Sequence, residues 1–325
     1  MRHTSLFYRL FPPPKFLTIP HAGLEISDDA FRCIEYKRTV HGLEIAKYAE
    51  TDVPPGLIDG GEVKDEKKFS ELLHTFVHEN KLTYVKVSLP EEKVYLFQMD
   101  IPSVDVRAVT QHVEFKLEEN VPLSAVDSVF YFDILPAAVT GNLLRASVSV
   151  VPRSYVEKMI SILHGMGLVP IAFEVAPKSL AKALVKKSVS DTYLIIHVMN
   201  RKTGTYIVSG GVVCFSSTLS WGTRQNPDGN KAENMDISAL SKEIHRVYEY
   251  WATRPDAHST ISQIMLVGED AQMVEEKFHR DPSHVAVPLA SVDVWQNAFD
   301  IHNYIPNISR EESLEYAVAA GLALP

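Results

Sequence analysis

The sequence predicts an α/β protein of two lobes with the same element order and a small module inserted into the first lobe. The first observation is residues 21–90, where three strand-like runs, a loop, an amphipathic helix and a further strand follow one another. The second is that residues 192–268 repeat this β-β-β-α-β order without repeating the sequence. The third is the intervening segment, whose patterns predict β-α-β-β-α. Together they predict a duplicated fold with one insertion.

In the first lobe, HAGLEIS, AFRCIEYKR and GLEIAKYAE predict three strands, and TYVKVSLP predicts a fourth. Between them DEKKFSELLHTFVHENK predicts a helix with one apolar face, made of Phe69, Leu72, Leu73, Phe76 and Val77. In the second lobe, TYLIIHVMN, GTYIVSGG, VVCFSSTLS and SQIMLVG predict the matching strands. The matching helix is DISALSKEIHRVYEYWA, with an apolar face of Ile237, Leu240, Ile244, Val247, Tyr248 and Trp251.

The inserted module begins with the strand EKVYLFQMDIP and the helix of residues 104–119, for which Ser103 is a plausible N-cap. Apolar residues step along this helix at helical spacing: Val106, Val109, Val113 and Leu117. The run SREESLEYAVAAGLAL predicts one closing helix, with Ser309 and Glu312 as its capping box. The predicted domains are a first lobe of 1–90 and 168–190, an insert of 91–167, a second lobe of 191–310 and a closing helix of 311–325.

The composition and charge of the chain favour some kinds of partner and cellular location over others. The 325 residues are 46% apolar, and 32 basic against 41 acidic side chains give a net charge of −9. This balance argues against a nucleic-acid-binding surface and favours a basic partner peptide. Cys33 and Cys214 lie in apolar runs and are expected to be buried, free thiols of a reducing, cytoplasmic setting. No run predicts a transmembrane helix, and the N-terminus does not resemble a signal peptide, although Leu6 to Phe11 could form a docking arm.

Several motifs occur in an order that covers nearly the whole chain. They are LFPPPKFLTIPHAGLEISDDAFRCIEYKR, VPPGLIDGGEVKD, SLPEEKVYLFQMDIP, VEFKLEENVPLSAVDSVFYFDIL, EKMISILHGMGLVPIAFEVAPKSLAKAL, MLVGEDAQM and EYAVAAGLAL. In order and spacing they resemble the PilM family of type IV pilus assembly proteins and, more distantly, the cell-division protein FtsA. The resemblance implies an actin-like fold, of the Hsp70 and sugar-kinase type, with an SHS2-like insert of the FtsA and PilM kind.

In that fold, the first hairpins of the two lobes face each other and hold nucleotide phosphates. The resemblance places this site at Glu25, Ser27, Asp28, Arg32, His197, Met199, Thr203, Gly204, Gly222, Gly268 and Glu269. Glycine lets backbone N–H groups approach phosphate, and an aspartate organises Mg²⁺. Ser27, His197 and Met199 replace family residues of these two types. We therefore expect a degenerate pseudo-nucleotide cleft with no catalytic residue. The alternative is an active or weak actin-like ATPase that uses Mg-ATP.

No metal site is predicted, since His74 and His78 have the i,i+4 spacing of a ligand pair but no third ligand in sequence. Walker A, G-x-S-x-G and G-x-G-x-x-G motifs are also missing from the sequence. An FtsA-like membrane-bound filament is a weaker expectation, because the chain ends within its last predicted helix and shows no amphipathic membrane helix.

The resemblance also implies a partner and a place in the cell. PilM-like proteins bind the N-terminal cytoplasmic peptide of PilN, a bitopic membrane protein, between the first lobe and the insert. The expected groove residues are Val94, Leu96, Gln98, Val109, Val113 and Leu117, with Glu114 and Glu118 as rim charges. The expectation is thus an adaptor of a pilus or type II secretion-like platform, attached to the inner face of the membrane through partners. Pilus assembly ATPases and the platform protein are further partners that the resemblance suggests.

Overall fold

The computed structural model describes residues 19–39, 42–102, 106–140, 143–186, 189–223, 236–254, 260–280 and 287–325. The proposed docking arm and the predicted N-cap Ser103 lie outside these ranges. In the part of the chain that the structure describes, no helix combines the length and the apolar character needed to cross a membrane.

The first lobe is built on a five-stranded sheet in the order β10-β6-β1-β2-β3. Its strands are β1 (Ala22–Ile26), β2 (Ala30–Thr39), β3 (Gly42–Asp52), β6 (Tyr84–Leu89) and β10 (Val169–Val175). The first three form an antiparallel meander, and β6 and β10 add in parallel. A small hairpin, β4 (Ile58–Asp59) and β5 (Glu62–Val63), precedes helix α1 (Glu66–Glu79). Asp65 caps α1, which buries its predicted apolar face in a core that includes Phe31.

The second lobe repeats this arrangement in a four-stranded sheet of order β13-β12-β11-β14. Its strands are β11 (Thr192–Val198), β12 (Thr203–Ser209), β13 (Val212–Leu219) and β14 (Ile261–Gly268), and its helices are α5 (Ser238–Thr253) and α6 (Ala271–Arg280). As in the first lobe, three antiparallel strands precede the helix, and the strand after the helix pairs in parallel with the first. The repeated element order predicted from the sequence is confirmed.

The insert is a three-stranded sheet of order β7-β9-β8 with a helix on one face. Its elements are β7 (Tyr95–Pro102), α2 (Val106–Asn120), β8 (Ser128–Thr140), β9 (Leu143–Pro152) and α3 (Arg153–Gly165). This is the predicted β-α-β-β-α order. Alternation along β7 divides its side chains, so that Phe97, Met99 and Ile101 pack beneath α2. Leu96 and Gln98 therefore face the other way, toward the second lobe.

The C-terminal segment forms two helices, whereas the sequence predicted one. Helix α7 (Arg310–Glu315) ends at Tyr316, and α8 (Ala317–Ala323) begins directly after it. All residues of α8 are buried, and the helix packs against β1 and against α4 (Ala176–Leu184). The predicted Ser309 cap is present, since its hydroxyl accepts a hydrogen bond from the Glu312 N–H at 3.1 Å.

Small residues allow this close packing. A Cβ added to Gly321 would lie 1.9 Å from the Ser179 carbonyl oxygen of α4. A Cβ added to Gly23 of β1 would lie 2.1 Å from the Ala319 carbonyl oxygen of α8. Helix α8 belongs to the largest hydrophobic core, which also contains α4 and most buried residues of the second lobe. The two predicted free thiols, Cys33 and Cys214, are buried and unpaired.

Candidate functional site

The first hairpins of the two lobes face each other across a cleft. The turn between β1 and β2 contains Asp28 and Asp29, and the turn between β11 and β12 contains Asn200 and Lys202. The Asn200 N–H donates to Asp29 Oδ2 at 3.3 Å, and Lys202 Nζ lies 3.0 Å from Asp28 Oδ2. The two loops that hold phosphates in this kind of fold are therefore joined directly by their own side chains.

The amides of the first loop are used within the loop. Ser27 Oγ accepts hydrogen bonds from the N–H groups of Asp29 (3.3 Å) and Ala30 (3.0 Å). The same hydroxyl donates to the Ala30 carbonyl oxygen at 2.9 Å, and the Ser27 N–H donates to that oxygen at 3.1 Å. Three of the N–H groups that could point at an anion, those of Ser27, Asp29 and Ala30, are thus already satisfied.

Asp28 is held by groups from both lobes. Its carboxylate accepts from the N–H groups of Gly60 and Gly61, both at 3.1 Å, and from the Lys202 ammonium, which also contacts Glu92. Burial raises the pKa of Asp28, but Lys202 and the two amides outweigh it, so the pKa lies below its ordinary value. Lys202 was missed in the sequence, although its place in the second hairpin was the available signal.

Arg32 forms a second set of ion pairs across the cleft. Its Nη2 lies 2.8 Å from Glu50 of β3, 2.6 Å from Glu269 after β14 and 3.8 Å from Glu315 of α7. Its side chain is 5% exposed, so these pairs are largely shielded from water. Burial lowers the pKa of Arg32, but Glu25 and the surrounding carboxylates outweigh it and raise the pKa overall. The guanidinium that could have held phosphate is thus bound to carboxylates.

Several buried polar atoms in the cleft have no hydrogen-bond partner, among them one atom each of Glu25, His197, Arg32 and Asn200. Glu25 Oε2 and His197 Nδ1 have no hydrogen-bond partner. Burial raises the pKa of Glu25 to about 7, with Arg32 opposing the rise. Burial, with Arg32 and Lys202 adding to it, lowers the pKa of His197 to about 3. Near neutral pH, His197 is therefore an uncharged ring and Glu25 is divided between its two protonation states.

The glycines of the second lobe serve the packing of its own backbone. A Cβ on Gly222 would lie 2.3 Å from the Asn200 carbonyl oxygen, and one on Gly268 would lie 2.1 Å from that of Val198. Gly268 also has φ of +96°, which favours glycine. Gly204 leaves room for the Tyr206 hydroxyl, and Thr203 Oγ1 donates to the Trp221 carbonyl oxygen at 2.8 Å. These contacts account for the glycines without a nucleotide. Met199 closes the hairpin, its N–H donating to the Lys202 carbonyl oxygen.

The described part of the chain offers no metal centre. No three His, Cys, Asp or Glu side chains there lie close enough together to hold a metal ion. His74 and His78 are exposed on α1, with ring centroids 6.2 Å apart.

The expected groove residues are distributed over three places. Val109, Val113 and Leu117 form the core beneath α2 with exposures of at most 4%, so they cannot line a groove. Glu114 and Glu118 lie exposed on the outer side of that helix. This corrects the sequence prediction, which took the apolar stripe of α2 for a binding surface although the insert's own sheet covers it.

The remaining groove residues face the second lobe. Gln98 Nε2 donates to the Cys214 carbonyl oxygen at 2.8 Å, and Leu96 packs against the largest core. Val94 and Leu96 line a small cavity where the insert meets the second lobe and the start of α4, with Pro177 and Val213 on the opposite walls.

Glu25 gives a pH-dependent prediction. Its pKa is about 7 in the folded protein and 4.5 ordinarily, so the folded state binds more protons between these values. The wild type therefore loses stability as pH rises from 4.5 to about 7. Glu25→Gln should show a smaller loss, which comes from Glu91 and Glu315, because burial also raises the pKa of each of these two carboxyls to about 7. The stability of Glu25→Gln relative to wild type should rise by on the order of 2 kcal/mol between pH 5 and pH 8. Urea melts across this range test it, and a pH-independent difference would contradict it.

The predicted fold class is confirmed. Two lobes of the same order, a cleft between their first hairpins and a β-α-β-β-α insert define the chain as a protein of the actin-like fold. No family model matches the sequence. No curated protein matches it significantly.

The structure is similar to one chain of a PilM-PilN type IV pilus biogenesis complex, with a TM-score of 0.72 and 18% identity over 94% of this chain and 98% of that one. The ethanolamine utilization protein EutJ from Carboxydothermus hydrogenoformans gives a TM-score of 0.51 and 12% identity over 97% of this chain and 90% of EutJ. The cytoplasmic domain of EpsL, from the type II secretion system of Vibrio cholerae, is less similar in structure, with a TM-score of 0.46. Its identity is 12% over 76% of this chain and 81% of the EpsL domain. The resemblance to PilM seen in the sequence thus holds at the level of the fold.

Proposed function

We propose that this protein is a cytoplasmic, non-catalytic adaptor of a type IV pilus, or related type II secretion-like, inner-membrane assembly platform. The observation that carries the proposal is the likeness of fold to a chain of a PilM-PilN complex over 94% of this chain. The ion pairs across the cleft support the non-catalytic part of the proposal, because they occupy the groups that would hold phosphate. Attachment to the membrane is then made through a PilN-like partner.

The partner peptide would lie between the free edges of two sheets. Strand β10 is an edge of the first-lobe sheet, and β8 is an edge of the insert sheet. An extended peptide can add to such an edge and place alternate side chains in pockets. Exposed apolar side chains lie on both strands and give the peptide contacts: Val129, Tyr131, Val169 and Ile171.

Lys178, at the start of α4, links the two sheet edges. Its ammonium lies 3.2 Å from Asp133 and 3.3 Å from the ring centroid of Tyr131, both on β8. Since α4 follows β10 directly, these contacts place the end of β10 beside β8. The proposed site keeps the predicted position between first lobe and insert but replaces the predicted walls. The net charge of −9 suits a peptide with basic residues.

Calorimetric titration with a synthetic peptide tests the proposal. The peptide is the N-terminal cytoplasmic segment of a PilN-like membrane protein. We expect saturable binding that Ile171→Asp weakens about tenfold, equivalent to about 1.4 kcal/mol. The matched control is Ile305→Asp, at a side chain that is 85% exposed in a segment preceding α7. Undetectable binding, or equal weakening by both variants, would sink the proposed site.

A second prediction concerns Mg-ATP. Because three loop amides are already hydrogen-bonded, and Asp28 and the Arg32 Nη2 are already ion-paired, we expect no change in thermal midpoint up to millimolar Mg-ATP. Any ligand that binds only the folded state raises this midpoint with concentration, so scanning fluorimetry detects binding directly. A saturable rise with Mg-ATP would instead favour an actin-like ATPase.

A further inference from the structure

A small cavity remains inside the cleft, between the ion pairs of Lys202 and those of Arg32. Four segments line it, namely the end of β1 with its turn, the loop after β6, the β11–β12 hairpin, and Ala176 at the start of α4. Its described lining includes the ionisable side chains of Glu25, Asp28, Glu91, Glu92, His197 and Lys202.

Two lining residues have buried atoms that need a partner. Glu25 is 3% exposed and its Oε2 is unpartnered, and His197 is 6% exposed and its Nδ1 is unpartnered. A buried polar atom without a hydrogen bond is energetically costly, so such atoms normally meet a protein group, a water or a ligand. Glu25 and His197 come from opposite lobes, so the cavity between them is a built site with an unpartnered buried polar atom on each wall.

The charge of the cavity is negative. Among its described lining residues, the carboxylates Glu25, Asp28, Glu91 and Glu92 stand against the single cation Lys202. Lys202 is shared by Asp28 and Glu92. This distribution repels phosphate and attracts a cation.

The other two carboxylates have no cation to themselves, because Arg32, whose charge acts on Glu25, is shared with further carboxylates. Glu91 accepts hydrogen bonds from the hydroxyls of Tyr206 and Thr218, which bring no charge. Arg32, the cation nearest Glu25, is hydrogen-bonded to Glu50 and Glu269. A further positive charge in the cavity would therefore be stabilised.

We infer that this cavity binds a small organic cation with N–H donors, of the protonated primary amine class. A neutral imidazole nitrogen and a carboxylate oxygen both accept N–H hydrogen bonds. A metal ion suits the site less well, because no three potential ligand side chains of the described chain converge on one point. Burial and the nearby cations Arg32 and Lys202 lower the pKa of His197 to about 3, which keeps its ring available as an acceptor. The lining of the cleft thus suits a cation and not an anion.

Scanning fluorimetry with methylammonium chloride tests the inference. We expect a saturable rise in the thermal midpoint of roughly 2 to 4 °C at about ten times the dissociation constant. Tetramethylammonium chloride at the same ionic strength carries the same charge without N–H donors and should give no rise. An equal rise with sodium, potassium or tetramethylammonium would overturn the inference.

Two variants locate the effect. Glu25→Gln should abolish the methylammonium-dependent rise, whereas Glu118→Gln, at an exposed carboxylate on α2, should keep it. A rise that persists in Glu25→Gln would also contradict the inference. The outcome is independent of the adaptor proposal, because peptide titration of Glu25→Gln should give the wild-type affinity if the peptide site lies at β8 and β10.

Discussion

Replacing Gly321 by alanine should lower the free energy of unfolding by about 3 kcal/mol, because the added methyl group overpacks a buried helix crossing. The new Cβ would lie 1.9 Å from the Ser179 carbonyl oxygen and 2.5 Å from its carbon. These are backbone atoms, so no side-chain rotation relieves the contact. Helix α8 cannot retreat either, since β1 packs against its other side with Gly23 in equally close contact.

Urea denaturation of Gly321→Ala beside Gly165→Ala measures this effect. Gly165 ends helix α3, and a Cβ added there meets no atom within 4 Å. The control variant should have the free energy of unfolding of wild type or one about 0.4–1 kcal/mol higher, because alanine lowers the conformational entropy of the unfolded chain. Equal midpoints for Gly321→Ala and wild type would show that α8 is not packed as the structure describes.

Replacing Arg32 by methionine should lower the free energy of unfolding by roughly 3–5 kcal/mol, since it leaves several partly buried carboxylates without their cation. Arg32 pairs with Glu50 in its own lobe and with Glu269 in the other. The loss should therefore loosen the contact between the lobes as well as the first sheet. Thermal or urea melts give the magnitude.

A control variant and a double-mutant cycle show whether the loss of stability in Arg32→Met comes from the ion pairs in the cleft. Lys64→Met removes the exposed pair with Glu62, 45% and 60% exposed, and should leave the melting midpoint unchanged. Glu269→Gln should destabilise the Arg32→Met protein less than it destabilises wild type, because the pair is already broken. Strict additivity of the two substitutions would contradict a direct pair between the lobes.

The sequence was sufficient for the fold because each lobe has clear local patterns. The apolar face of α1 and the strand runs of both lobes alternate at helical or strand spacing, and the same order occurs twice. The break at Tyr316 was not predictable, since the run from Arg310 to Ala323 contains no proline and its only glycine, Gly321, lies within α8. Tertiary packing of the all-buried α8 determines where that helix begins.

The site was predictable only in part, because its decisive contacts join distant parts of the chain. The sequence indicated which hairpins face each other, but not that Lys202 of one would pair with Asp28 of the other. It also showed apolar residues on both faces of β7. Tertiary structure determines that the insert's own sheet covers the apolar stripe of α2, and for this reason the chosen groove walls were wrong for Val109, Val113 and Leu117.

A scaffold whose cleft is held together by its own side chains should bind its partner peptide without nucleotide. The most direct measurement is the affinity of the PilN-like peptide with and without millimolar Mg-ATP, in the same calorimetric titration. We expect the same dissociation constant within about twofold, a difference in binding free energy below about 0.4 kcal/mol. A tenfold or larger change with Mg-ATP, or no binding in either condition, would contradict it.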